Sequence, residues 1–281
     1  TRSRVDQAPM SQLLNRDGET ILELEITDIT SLPTGWTWPE PVEVMAADGS
    51  TPIYGVLFRP SNFSPDKKYP VINHVSGAPW MSMVPKGSFN CSRSWFTNLH
   101  YFHGAALAEL GFIVLQLDSR GTALRGKKFQ DTSYGWMAGA NNSEDHAGAI
   151  QQLAKRYTSM DINRVGSFCL AYQSGLINYL ERQDLYKVHV QGFLYDERLM
   201  GRTMAGDIYN GCEGPDEKKQ NAEDLVKNLR GKLLLMHALY SDMAPCYPVA
   251  GQLRVIDALQ KANKDFDMFM APGNNRFYSA Y

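Results

Sequence analysis

The sequence predicts an α/β domain: a mostly parallel, eight-stranded sheet with helices on both faces. Short apolar runs bounded by turn residues alternate with amphipathic helical stretches along the chain. At 281 residues the chain is long enough to bury one large core. The stretch Arg164-Val165-Gly166-Ser167-Phe168-Cys169-Leu170-Ala171-Tyr172-Gln173-Ser174-Gly175 reads as a buried strand turning sharply into a helix.

In chain order, the apolar runs place strands near 42–46, 53–59, 70–75, 112–117, 164–169, 189–194, 232–237 and 266–271. Helices are expected near 103–110, 143–157, 172–183, 221–229 and 247–262. In a sheet of this kind sites form at the carboxyl ends of strands. Those ends fall at 76, 118, 170, 195, 238 and 272. Ahead of this pattern, Leu13-Leu14-Asn15-Arg16-Asp17-Gly18-Glu19-Thr20-Ile21-Leu22 reads as a turn between two short strands. Residues 1–38 are therefore set apart as an N-terminal extension, and 39–281 as the α/β domain.

Composition excludes several function classes. A net charge of −2 gives no general reason to bind nucleic acid or an anionic membrane, and the basic cluster Arg125-Gly126-Lys127-Lys128 reads as a solvated loop. No stretch approaches the roughly 18 to 20 apolar residues of a membrane span, and the first residues do not form a signal peptide. Cys91, Cys169, Cys212 and Cys246 match no zinc or C-x-x-C spacing; Cys169 reads as a small buried hydrophobe. No metal, nucleotide or flavin motif occurs, so no metal and no cofactor is expected. Sequons at Asn62, Asn90 and Asn141 matter only in a eukaryotic secretory pathway.

Several segments carry a resemblance: Ala46-Ala47-Asp48-Gly49 running to Tyr54-Gly55-Val56-Leu57-Phe58-Arg59-Pro60; Lys68-Tyr69-Pro70-Val71-Ile72; Ala108-Glu109-Leu110-Gly111-Phe112-Ile113-Val114-Leu115-Gln116-Leu117-Asp118-Ser119-Arg120-Gly121; Asp161-Ile162-Asn163-Arg164-Val165-Gly166; and Ile256-Asp257-Ala258-Leu259 running to Lys264-Asp265-Phe266-Asp267. Across most of residues 40–277 the chain resembles the C-terminal α/β-hydrolase domain of prolyl oligopeptidase-family serine peptidases, dipeptidyl aminopeptidases above all. The resemblance implies an α/β-hydrolase fold, with residues 1–38 as the exit from a preceding β-propeller. It also implies a chain stopping near the start of the last hydrolase helix, and thus part of a larger protein. It leans towards a bacterial periplasmic or secreted protein.

The same resemblance assigns positions to the catalytic groups, and this chain departs at each. The family serine falls on Ala171, its aspartate on Ser241 with Asp242 beside it, and its histidine on Arg276. The tyrosine that supplies one oxyanion donor falls on Ser76, in Val75-Ser76-Gly77-Ala78-Pro79. The backbone N–H of Tyr172 corresponds to the donor that survives. A nucleophile elbow is G-x-S-x-G because the strained turn needs close packing around its serine; Cys169 and Gln173 replace both glycines and are expected to crowd it. Losing the serine or histidine alone costs roughly a millionfold in turnover, because triad members act as a unit.

Two main readings follow. One is a peptidase domain without Ser-Asp-His catalysis, kept for binding, scaffolding or dimerisation. The other is a repurposed non-hydrolytic enzyme, of cyclase, isomerase or lyase type, acting on a largely apolar small molecule in the same crevice, where drying strengthens any remaining charge. Dipeptidyl aminopeptidase activity from a non-standard site is a third. The corresponding partners are the chain's own propeller, a peptide or an apolar small molecule, and a second copy.

Other residues near the expected crevice have competing readings. Asp196, Glu197 and Arg198 could orient a substrate, but an ion-pair network or plain solvation is favoured. Tyr240, Asp242 and Trp80 are further binding candidates. His237 has a structural role, and Asp118-Ser119-Arg120-Gly121 braces loops. His74 and Ser76 share a strand face as i and i+2, yet two residues make no triad. Trp80, Met81, Met83, Trp95, Trp136, Met137, Tyr172, Met200, Met204, Tyr240 and Met243 form an aromatic and sulfur-rich lining that suits either core capping or an apolar ligand.

Overall fold

The computed structural model describes residues 1–76, 78–89, 95–170, 172–194, 204–211, 221–240 and 249–274, with backbone alone at 95–97, 204–206, 239–240 and 272–274. The expected eight-stranded sheet is present. Its strands are β4 (Glu40–Met45), β5 (Pro52–Phe58), β6 (Tyr69–His74), β7 (Ile113–Asp118), β8 (Met160–Cys169), β9 (Tyr186–Gln191), β10 (Lys232–Tyr240) and β11 (Asp267–Asn274). They lie in the order β11-β10-β9-β8-β6-β7-β5-β4. Only β5 runs against its neighbours, antiparallel to both β4 and β7. Every other pairing, from β7 through β6, β8, β9 and β10 to β11, is parallel. All parallel strands therefore deliver their carboxyl ends to one edge.

Helices cover the two faces unequally. Ser143–Arg156, Gln173–Glu181 and Val249–Lys261 present Ile150, Leu153, Leu176, Leu180, Val255 and Leu259 to the main core, with Val71, Leu115, Val165 and Leu235 from the strands. Burying such side chains supplies about 1.5–3 kcal/mol each, the dominant favourable term in folding. On the other face Tyr101 and Ala108 of the helix Trp95–Glu109 pack with Val56, Phe58 and Val114. The helix Ser143–Arg156 starts where Asn142 accepts from the Asp145 N–H, with Glu144 and Asp145 in its first turn and Lys155 and Arg156 in its last. That arrangement caps a backbone donor and complements the helix dipole.

Within residues 1–38, a second, three-stranded antiparallel sheet is built of β1 (Arg2–Arg4), β2 (Gln7–Leu14) and β3 (Thr20–Ile26). The 15–19 turn expected from sequence joins β2 to β3: Asn15 Oδ1 accepts from the N–H groups of Asp17 and Glu19, and Gly18 takes φ of 84°. Every residue of β3 is exposed.

Several boundaries differ from the sequence expectation. The first covering helix starts at residue 95 rather than 103. Aromatic residues in Trp95-Phe96-Thr97-Asn98-Leu99-His100-Tyr101-Phe102 blur the 3.6-residue periodicity there. The basic cluster is not a wholly solvated loop: Arg125 lies 4.7 Å from the ring centres of both Tyr54 and Phe129 and donates to the Pro52 carbonyl. Lys127–Gln130 forms one helical turn. The Asn141 sequon is buried.

Candidate active site

The segment connecting β8 to the helix Gln173–Glu181 is the centre of the candidate site. Residue 171 sits between Cys169, the last residue of β8, and Tyr172, the residue that precedes the helix. Neighbouring strand ends are stitched to it: Val75 N–H donates to Phe168 O and Gly192 N–H to Cys169 O. Gly192 is required there, because a Cβ would stand 2.6 Å from Leu170 O. On the far side β10 and β11 run together past Ala238↔Ala271 to Tyr240↔Asn274. β10 and β11, ending at Tyr240 and Asn274, finish on the same edge as β8.

Ala171, Ser241, Asp242, Arg276, Asp196, Glu197 and Arg198 lie outside the described residues, as do Met200, Met243, Cys91, Cys212 and Cys246; the side chains of Tyr240, Trp95 and Met204 do too. The remaining expected residues are described. Tyr172 is buried, in extended conformation. Cys169 is fully buried, as a small hydrophobe should be, and its thiol lies 3.2 Å from Tyr172 O. Cys169 and Gln173 each have contacts of their own. Gly175 leaves room for Cys169, and Gln173 is turned away to accept from the Ala222 N–H at 3.2 Å.

Around this turn Ala78, Met137, Cys169, Tyr172, Phe193 and Ala238 form a buried cluster, with Trp80, Met81 and Tyr209 packed against it. Trp80 meets Tyr172 edge to face at 5.8 Å and lies tilted against Tyr209 at 5.1 Å. Two residues expected in this lining are elsewhere. Trp136 packs against the main core, and Met83 is buried in the loop held by Asp118. Tyr209 was not anticipated, since its helix Met204–Asn210 follows no clear amphipathic pattern.

The loop after β6 is braced from below. Asp118 accepts from Ser82 Oγ, from the N–H groups of Met83 and Val84, and from Lys86 Nζ at 2.9 Å. Arg120 grips Asp145 through two nitrogens and reaches Asp48 at 3.1 Å. Both residues of the Asp118-Ser119-Arg120-Gly121 segment thus brace loops, as expected. Ser76 is fully buried and its hydroxyl has no hydrogen-bond partner among the described residues, so no bond joins it to His74. His237 is buried, with Nδ1 2.9 Å from Gln252 Oε1 and its ring edge-on to Phe193 at 5.3 Å. Burial holds its pKa below the usual histidine range, which fits a structural role.

Adjacent residues at the end of β6 face opposite sides of the sheet. Asn73 donates to Tyr186 Oη at 2.6 Å and meets His146 Nδ1 at 3.1 Å. His74 instead lies beside Gln116 and the rings of His100 and His103 on the helix Trp95–Glu109. The clustering of these three histidines was missed from sequence. The only local signal is His100 and His103 at i and i+3, which share one helix face; His74 is remote in the chain.

Strand order, the single antiparallel β5 and the succession of β8 by the helix Gln173–Glu181 define an α/β-hydrolase-type domain. Comparison with known proteins carries this further: the model of the prolyl oligopeptidase family matches residues 98–279, and the chain belongs to that family. Human dipeptidyl peptidase 8 is 28% identical over 251 residues, which cover 84% of this chain and 26% of that protein. A probable dipeptidyl-aminopeptidase B of Emericella nidulans is 32% identical over 97% of this chain and 30% of its own length. Among solved structures, a putative dipeptidyl aminopeptidase IV from Bacteroides ovatus superposes with a TM-score of 0.81 at 26% identity, covering 97% of this chain and 38% of that one. Porphyromonas gingivalis dipeptidyl peptidase 4 has the same fold, with a TM-score of 0.76 at 20% identity. The chain spans about a quarter to a third of the length of these curated relatives. No helix among the described residues is long and apolar enough to cross a membrane.

Proposed function

We propose that this chain is a prolyl oligopeptidase-family domain that does not cleave peptides by Ser-Asp-His chemistry and serves as a binding or scaffold domain. The observation that carries the reading is alanine at position 171 of the sequence, between β8 and the helix that follows. A methyl group has no lone pair, so it cannot attack a carbonyl. Serine at 241 and arginine at 276, each following a parallel strand that ends on the same edge, support the reading. Among the described residues, the apolar cluster of Tyr172, Trp80, Met137 and Phe193 beside the turn is suited to holding an apolar group of a peptide or small ligand.

The test is labelling of the purified chain with a fluorophosphonate probe, alongside release of nitroaniline from dipeptide substrates. No labelling and no release are expected. Stoichiometric labelling that maps to a single serine overturns the reading, and Ser76, Ser174 and Ser241 are the first positions to map.

A further inference from the structure

His74, His100 and His103 come from two elements and meet on the sheet face away from the main core. His74 ends β6, flanked in register by Gln116 on β7 and Phe168 on β8; His100 and His103 descend from the helix that covers this face. The ring centres are 5.0 Å apart for His74 and His100, 5.8 Å for His74 and His103, and 6.4 Å for His100 and His103. One ring nitrogen from each lies within 4.8 Å of those of the other two.

We propose that these three imidazoles form a binding site for one divalent late-transition-metal ion of the zinc, cobalt or nickel class. Tetrahedral bonds of about 2.0–2.1 Å to imidazole put nitrogens roughly 3.4 Å apart, so the rings need to close by about an ångström or less each. Imidazole suits these metals, and the set offers no carboxylate that would favour magnesium or calcium. Three histidine ligands leave a fourth position for water or an exchangeable ligand, the pattern of an open site.

Three further observations support the site. His74 and His100 are fully buried, and His103 is half-buried. His74 Nε2 and His103 Nδ1 have no hydrogen-bond partner among the described residues. A buried polar atom left so is destabilising, and a metal bond removes that cost. Burial, reinforced by the neighbouring histidines, holds His74 and His100 well below the usual histidine pKa, and burial holds His103 at about 4. All three are neutral near pH 7, the form that binds metal.

Gln116 supplies the outer contact. Its Nε2 donates to His100 O at 2.6 Å and lies 3.0 Å from His74 Nδ1, while its Oε1 has no partner among the described residues. With Gln116 donating, His74 Nδ1 is the acceptor and its proton sits on Nε2. Coordination through Nε2 moves that proton to Nδ1, and a turned Gln116 amide can then accept it through Oε1, at the expense of the bond to His100 O. Orienting partners of this kind tune metal affinity by about 10–100-fold.

The experiment uses the untagged chain after chelator treatment. Titration with Co²⁺ should raise a visible ligand-field band that saturates at one ion per chain, and Zn²⁺ should displace it. His103→Ala, the least buried of the three positions, should weaken Co²⁺ binding at least tenfold, and His237→Gln should leave it unchanged. Absence of a band, or equal binding in both His100→Ala and His103→Ala, overturns the site. Should those variants fail to fold, X-ray absorption of the zinc-loaded wild type decides: three imidazole nitrogens support the site, while fewer, or a cysteine sulfur, overturn it. Peptidase activity is not a readout here, so the result is independent of the proposed function.

Discussion

Cys169 and Gly175 are packed against each other: a Cβ on residue 175 would stand 2.4 Å from Cys169 Cβ and 2.9 Å from its sulfur. The larger side chain on the β8 side of the turn is thus accommodated by a glycine two positions into the following helix. Sequence alone shows glycine lost from positions 169 and 173; only the packing shows that Gly175 gives Cys169 its space.

Gly175→Ala should therefore destabilise the chain. At an exposed helix position alanine gains up to about 1 kcal/mol over glycine, but overpacking a filled site costs about 1–3 kcal/mol, and the contact is Cβ on Cβ. The expected result is a fall in Tm of several degrees by calorimetry. Cys169→Ala should not rescue it, since the Cβ remains, whereas Cys169→Gly should recover part of the loss. Equal stability of Gly175→Ala and wild type would remove the argument.

Asp118 should be one of the most sensitive polar positions. Its carboxylate is nearly fully buried and satisfies two backbone N–H groups, a hydroxyl and an ammonium. Asp118→Ala strands the Met83 and Val84 donors, each worth roughly 1–3 kcal/mol when left unpaired. Urea unfolding should show the midpoint falling with the slope unchanged. Lys86→Met should cost less, because Lys86 is mostly exposed and the Ser82 hydroxyl and the Met83 and Val84 N–H groups still hold the Asp118 carboxylate.

Acid should weaken the fold partly through His146 and His189. Burial holds each at about 4, against about 6.5 in an unfolded chain. For His146, the Asp145 and Asp118 charges act in the opposite direction and do not offset burial. Between these values the unfolded chain binds protons that the folded chain refuses. The contribution to stability is therefore complete above about pH 6.5 and is lost as pH falls towards about 4, by up to about 1.4 kcal/mol per unit per histidine. His146→Gln keeps a donor for Asn73 and should flatten the slope of stability against pH between about 7 and 5. Parallel slopes for variant and wild type would show that His146 does not titrate this way.

The fold was legible because its strands are apolar runs with turn residues at their ends, and all eight appear near their expected places. Where the ends moved, pairing overrode local chemistry. Ala238 and Pro272-Gly273 read as turn residues, yet β10 and β11 continue past them because each supplies the other's hydrogen bonds up to Tyr240↔Asn274. β8 begins at Met160 rather than 164 because Tyr69↔Met160 and Pro70↔Asp161 pair across a shift in register. The strand ending at Cys169 and the helix beginning at Gln173 were legible from the strand-to-helix pattern, while Ala171 itself lies outside the described residues. The histidine cluster was not, since its members meet only through the parallel register of β6 with β7 and β8 and the seating of a helix on that face.

Restoring the hydroxyl alone should not restore a peptidase. On the proposed reading Arg276 stands where the base would be needed in Ala171→Ser, and a guanidinium stays protonated at any working pH, so it cannot take the serine proton. On the same reading Ser76 is too short to replace a phenolic oxyanion donor and only the Tyr172 N–H is left to serve, and one such donor contributes roughly 10²–10³ in turnover. Cys169 and Gln173 are held in their own contacts with Gly175 and Ala222 and do not recreate the paired glycines of an elbow. Combining Ala171→Ser with Ser241→Asp, Arg276→His and Ser76→Tyr should recover a trace of activity, because triad members act as a unit. Dipeptide-nitroanilide hydrolysis is the measurement. Turnover by Ala171→Ser alone within tenfold of the common enzyme scale of about 10 per second would mean that a base is already in place and that the domain is a peptidase short of one atom.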